Sequence, residues 1–202
     1  MSNYILNVLF DPSDLQELRI VGEKVTLIKS TSSGSNLAWV VFDPFEQNEI
    51  DWTEGYYVYA SKSEIQSGAL IKKVSFKQAN SGESYAFRNS IFETGLPGDT
   101  GINSYKVYNL NAPPERLIFG LAQDVKVNGK KYDVNPINAD PVLYSHSDVI
   151  TPIERVSIFM ERKIYSSMVL SDIKGTSLEV DLTGAPEATV KYNLLKGGFD
   201  LV

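Results

Sequence analysis

"DWTEGYYVYASK" (51–62) sets four aromatic rings, Trp52, Tyr56, Tyr57 and Tyr59, within eight residues. Side chains of a strand alternate between its two faces. The stretch therefore places Trp52, Glu54, Tyr56, Val58 and Ala60 on one face and Thr53, Gly55, Tyr57, Tyr59 and Ser61 on the other. Both faces are aromatic, and neither is plainly polar. The favoured reading is a central strand of a sandwich, with one ring row in the core and tyrosines half-buried at its edges. The competing reading exposes the second row as a recognition surface, where Tyr57 and Tyr59 are the first residues to meet a ligand.

The rest of the chain repeats the theme. Short runs rich in Val, Ile, Tyr, Phe and Thr alternate with clusters of Gly, Pro, Asn, Asp and Ser, the pattern of many short strands. Runs of this kind stand at 4–10, 24–30, 37–42, 54–61, 69–76, 84–92, 105–110 and 116–127. Others follow at 130–134, 142–150, 155–162, 168–173, 177–182 and 189–195. In "DVKVNGKKYDV", Asn128-Gly129 between two alternating runs predicts a type I′ hairpin. Its register sets Lys126 opposite Lys131 and Asp124 opposite Asp133, with the attractive pairs on the diagonals.

One segment, "PSDLQELRIVG" (12–22), reads as a helix of about two turns. Ser13 is the expected cap with Gln16 at capping-box distance, Asp14 and Glu17 suit the positive end, and Gly22 is the stop. The fold expectation is all-β, an antiparallel β-sandwich with one short N-terminal helix. The 202 residues are expected to form a single domain. A glycine-rich loop at 93–104 lies near the midpoint, and residues 54–75 align without gaps to 154–175, pairing Glu54 with Glu154, Ser67 with Ser167 and Leu70 with Leu170. On that alignment the domain is built of two related β halves meeting near the loop.

Composition excludes more than it identifies. Apolar residues at 43% and charged residues at 22% are globular values. No apolar run approaches the length of a spanning helix. The absence of cysteine removes disulfides, thiol chemistry and cysteine-based metal sites. The net charge of −6 lacks the basic stripe that nucleic acid requires. The first residues, "MSNYILNVLFDPSD", show no basic region and no small-residue cleavage site, so the expected location is cytoplasmic, or outside the cell by a route without a classical leader.

Catalytic patterns are sparse. The only histidine, His146, shares a strand face with Tyr144 and Asp148, and Asp148 or Asp140 could orient it, yet no "GxSxG" nucleophile is present. Glu54, Glu83, Glu93, Glu154 and Glu161 are candidate carboxylates for glycoside hydrolysis, with no spacing that selects two of them. Metal binding is restricted to oxygen donors, hence Ca²⁺ or Mg²⁺, with the acidic turns at 11–14 and 97–101 as candidates for Ca²⁺; no cofactor is expected. "IKKVSFK" (71–77) reads as a lysine-guarded strand edge.

These readings lead to a non-enzymatic, lectin-like or toxin-like binding module. Its candidate contacts with a glycan or membrane surface are Trp52, Tyr56, Tyr57, Tyr59, Tyr105 and Tyr108. The alternatives are a self-associating assembly subunit and a carboxylate-dependent hydrolase.

Overall fold

A computed structural model describes residues 2–97, 100–112, 115–173 and 175–202. The first elements are β1 (Asn3–Leu9), α1 (Pro12–Val21), β2 (Lys24–Thr31), β3 (Ser35–Asn36), β4 (Val40–Phe42), β5 (Gln47–Thr53) and β6 (Tyr56–Ser61). Then come β7 (Lys73–Ala79), β8 (Glu83–Arg88), β9 (Ile91–Phe92), β10 (Leu96–Pro97), β11 (Tyr105–Asn109) and β12 (Leu117–Val127). The chain closes with β13 (Lys130–Pro136), β14 (Asn138–Val142), β15 (Ser147–Ile150), β16 (Pro152–Glu161), β17 (Leu178–Asp181), β18 (Glu187–Asn193) and β19 (Gly198–Leu201).

The chain is all-β; among the described residues there is one short helix, and the strands fall into three sheets of ten, five and four strands. The largest follows the order β19-β18-β1-β5-β12-β14-β3, with β6 and β13 branching off β12 and β7 pairing with β6. The five-stranded sheet runs β10-β8-β11-β15, with β9 beside β8; the four-stranded sheet runs β17-β16-β2-β4. One apolar core joins all three, taking Leu6, Ile50 and Val58 from the first sheet, Phe87 and Val107 from the second, and Leu27 and Ile158 from the third.

Two pairs depart from the antiparallel expectation: β1 with β18 and β8 with β11 run parallel. A parallel pair needs a long crossover rather than a hairpin. The segment from Asn89 to Ser104, which contains the glycine-rich loop, is that crossover between β8 and β11. Each sheet draws strands from both sides of it. The two aligned segments meet in space: Leu70 bridges Met168, and the Ile71 amide donates to the Ser167 carbonyl at 2.9 Å. They nonetheless enter different sheets, β6 in the largest and β16 in the smallest.

The helix spans ten residues, nearly three turns, and starts two residues earlier than its capping pattern suggests. Pro12 takes the first helical position after Asp11, and Ser13 lies inside the first turn with its hydroxyl on Asp14. Proline is suited to that position because its missing N–H would have had no partner. Leu15 and Leu18 bury the inner face, and Gly22 ends the helix in the left-handed conformation. Among the described residues no helix is long and apolar enough to cross a membrane.

The hairpin forms at Asn128-Gly129, both with positive φ, with Lys126 opposite Lys131. Past Val125–Tyr132 the register slips, so Asp124 does not face Asp133; its carboxylate accepts the Val134 amide at 2.7 Å. The diagonal Asp124–Lys131 pair forms at 3.6 Å, whereas Lys126 turns to Asp51 on β5. At Gly120 the backbone of β14 comes so close that a Cβ would lie 2.2 Å from the Asn138 carbonyl. Only glycine fits that crossing of β12 and β14.

The run expected as one strand at 142–150 is two, β14 and β15, separated by a turn through Ser145 at φ 64°. Residues 168–173 contribute only isolated bridges. β5 is the strand the composition hides. Its inner row is Asn48, Ile50 and Trp52, and the buried Asn48 amide is satisfied by the carbonyls of Val8 and Phe45 at 3.1 and 2.8 Å.

Candidate functional site

β6 carries its rings into two separate apolar layers. The inner row, Tyr56, Val58 and Ala60, enters the main core. The outer row does not reach solvent at Tyr59, because the loops at 62–72 and 165–170 and the start of β14 cover it. Tyr59 is wholly buried with Leu37, Ile71, Ile118 and Val169, and donates its hydroxyl to the Asn138 carbonyl at 2.6 Å. This second layer explains why the strand is aromatic on both faces.

The inner row borders a buried charge. Alternation along β2 sends Val25 and Leu27 into the core and, two residues on, Lys29, whose side chain has 0% exposure. Facing it is Glu154. Pairing between β16 and β2 slips between Pro152 and Val156, and Glu154 lies in that bulge. A bulge re-aims a side chain that a regular strand would carry elsewhere. The carboxylate takes three donors: the Lys29 ammonium at 2.7 Å, the Tyr56 hydroxyl at 2.5 Å and the Trp52 indole N–H at 3.3 Å. It keeps 15% exposure.

Four rings enclose the ammonium, with centroids at 5.1 Å (Trp52), 5.4 Å (Trp39), 5.5 Å (Tyr56) and 5.9 Å (Tyr4). Ring faces offer negative potential where water cannot, so they offset part of the desolvation of the cation. Burial pushes Lys29 down to about 8, with the attraction of Glu154 opposing it. Burial, then Glu154, pushes Tyr56 far above the usual phenol range. Tyr105, whose ring centroid lies 5.6 Å from that of Tyr56 at a tilt of 59°, is pushed up to about 12 by burial and by the charges of Glu54 and Glu154. A lysine near pH 8 is chemically a usable base, but this one has no exposed surface. What the cage does is fasten β2 and β16 to β5 and β6 through one saturated carboxylate.

The six candidate contacts thus separate. Trp52, Tyr56 and Tyr105 are buried at or beside the cage and Tyr59 in the second layer, so none of these four presents a ring to a ligand in solution. Tyr57 and Tyr108 are half-buried. Lys106 holds its ammonium 4.8 Å from the Tyr108 ring centroid. Tyr57 meets Phe76 of β7 edge-on at 6.1 Å and donates its hydroxyl to Asp124 at 3.4 Å. Phe76 is 53% exposed, Val74 beside it is also exposed, and the Lys73 ammonium lies 5.8 Å from the Phe76 ring while donating to the Val134 carbonyl. Sequence reasoning missed Phe76, whose alternation with Val74 was its only signal. It named Glu154 only as one of five carboxylates, and it missed Lys29.

His146, Asp140 and Asp148 do line one shallow cavity of about 280 Å³. The imidazole Nδ1 is paired with the Tyr144 carbonyl at 3.0 Å rather than with a carboxylate, and Asp148 accepts from Ser33 at 3.4 Å. Asp140 is raised by burial and by Asp148. The other carboxylates are dispersed: Glu83 accepts from Tyr85 at 2.5 Å, and Glu93 pairs with Arg88 at 3.0 Å. Of the acidic turns, Asp11 pairs with Lys191, while Gly98 and Asp99 lie outside the described residues. Among the described residues no group of three or more acidic or histidine side chains is placed to hold a metal ion. Compared with protein-family models, curated proteins and solved structures, the chain matches none.

Proposed function

We propose that the chain is a non-enzymatic, lectin-like binding module that takes a glycan on the outer face of β6 and β7. The observation that carries this reading is the Tyr57–Phe76 pair: an exposed ring beside a half-buried one, flanked by Asp124, Lys73 and Gln78. A sugar ring offers one C–H face for stacking and hydroxyls for carboxylates and amides, and this face supplies both kinds of partner. The net charge of −6 favours a neutral glycan over an anionic lipid surface, which would repel the chain.

The test is a titration of the folded protein against a panel of neutral and acidic oligosaccharides, followed by thermal shift, since a ligand of the native state raises the midpoint by mass action. Saturable binding by one glycan class, weakened in Phe76→Ala, supports the reading. Binding that Phe76→Ala and Tyr57→Ala leave unchanged overturns it. A second reading, self-association, has one observation in its favour: among the described residues β7 pairs with β6 alone and leaves its other edge without a strand. Lys73 and Lys77 on that strand oppose edge-to-edge pairing. A mass that rises with protein concentration, and falls when Phe76 is changed to Lys, would favour it.

A further inference from the structure

A depression of about 470 Å³ lies between the loop after β6 and the loop after β16, and neither Tyr57 nor Phe76 lines it. Its walls are held in place by backbone bonds between the two loops. The Gly68 amide donates to the Val169 carbonyl at 2.9 Å, the Val169 amide to Ala69 at 2.8 Å, and the Ile71 amide to Ser167 at 2.9 Å. Beneath them Ile164 and Val169 are buried and give an apolar floor. On the wall the Ser171 hydroxyl donates to Ser67 at 3.0 Å. A cavity of this size whose walls are cross-bonded requires little ordering when a small ligand enters.

Among the described residues four charged side chains line it, and they divide into two kinds. Arg162 pairs with Glu23 at 3.2 Å, and the Glu161 carboxylate accepts the Arg162 amide at 3.1 Å, so both are occupied locally. Lys163 and Asp172 also line the depression, yet among the described residues neither charged group has an ion pair or hydrogen bond, with the other or with any neighbour. Lys163 adopts a left-handed backbone at φ 55°, where glycine is the residue of lowest cost. A lysine at that position strains the turn, and this exposed lysine is among the residues that line the depression.

We propose that this depression binds a small zwitterion, a free α-amino acid. Lys163 receives its carboxylate, Asp172 receives its ammonium, the serine hydroxyls supply further hydrogen bonds, and the apolar floor receives the side chain. One charge of each sign, both without partners and on the same cavity, is what such a ligand complements. A simple anion would leave Asp172 facing it with the wrong sign. The inference stands apart from the glycan reading, since it uses other residues.

Isothermal titration of the full chain with individual free amino acids, with their N-acetyl derivatives and with their amides tests it. Both target residues are exposed, so Lys163→Gln and Asp172→Asn are expected to keep the wild-type melting temperature. The expected result is saturable binding of at least one free amino acid, with each variant and each blocked derivative about tenfold weaker, the ratio that ~1.4 kcal/mol represents. N-acetyl derivatives that bind as well as free amino acids would mean an anion site, and amides that bind as well would mean a cation site. Either result overturns the proposal. So does binding that both variants leave intact, or no binding by any amino acid up to millimolar concentration.

Discussion

Tyr56 and Tyr57 are neighbours in the chain and face opposite layers. Tyr56 is sealed against a charge pair whose cation has no exposed surface; Tyr57 lies at the edge of a loop-covered layer, next to a ring that is half in water. The inner face is a network in which Lys29, Tyr56 and Trp52 all bond to one carboxylate. The outer face has aromatic area left over. The difference shows where substitution should damage the fold and where it should damage only recognition.

The largest effect is expected at the carboxylate. Glu154→Gln removes the counter-charge and leaves the Lys29 ammonium buried among four rings, which is expected to cost ~3–5 kcal/mol. Urea denaturation measures it. Lys29→Met should cost less, because the remaining carboxylate keeps Tyr56, Trp52 and its 15% exposure. The double variant is expected to be more stable than Glu154→Gln alone, since it no longer buries an ammonium without a counter-charge. A double variant as unstable as the single one would show that the cage is held by packing rather than by its charges.

The same pair sets a pH dependence. Lys29 keeps its proton to about 10.5 in the unfolded chain but releases it near 8 in the fold. Between those values the unfolded state binds more protons, so this lysine makes stability rise with pH. Below that window both states are protonated and it contributes no slope. Tyr56, Tyr59, Tyr85 and Tyr105 act oppositely: each is raised in the fold, so their contribution is present below 10.0 and is lost above it as the unfolded tyrosines ionise. The melting temperature should climb from pH 8 toward 10 and then fall. Lys29→Met should flatten the climb and leave the fall.

A smaller loss is expected at the crossing of β12 and β14. Gly120→Ala drives a methyl into the Asn138 carbonyl and the Tyr59 ring, costing ~1–3 kcal/mol of overpacking. The damage falls on the second layer, so thermal unfolding should shift while the inner cage stays intact, as Trp fluorescence would show.

Both faces of β6 differ in how much of them the sequence discloses. Its alternation shows that both rows are aromatic, and the Asn128-Gly129 pair shows the hairpin, because each of these is local. The cage is not local. Lys29 and Glu154 are 125 residues apart, and they meet only because two strands of the smallest sheet pair with a slip in register. In "KVTLIKS" the lysine has the same look as a solvated strand end, although Val25, Leu27 and Lys29 share a face. The second apolar layer is equally hidden. It depends on loops folding back over Tyr59, and loop position carries no periodicity to read.

The smallest expected effect on stability belongs to the residue most important for recognition. Phe76→Ala removes a ring that is 53% exposed on an edge strand, so its cost should stay within ~0.5 kcal/mol. Tyr57→Ala also removes the bond to Asp124 and part of the second layer, and ~1 kcal/mol is the corresponding expectation. If the ring pair is the glycan platform, both changes should weaken binding about tenfold, equivalent to ~1.4 kcal/mol, while the midpoint of unfolding hardly moves for Phe76. The contrast with Glu154→Gln is then complete: one face loses the fold and keeps no surface to bind with, the other loses its ligand and keeps the fold. Should Phe76→Ala instead unfold the protein, the outer face would be as structural as the inner one, and the leftover ring area would need another explanation.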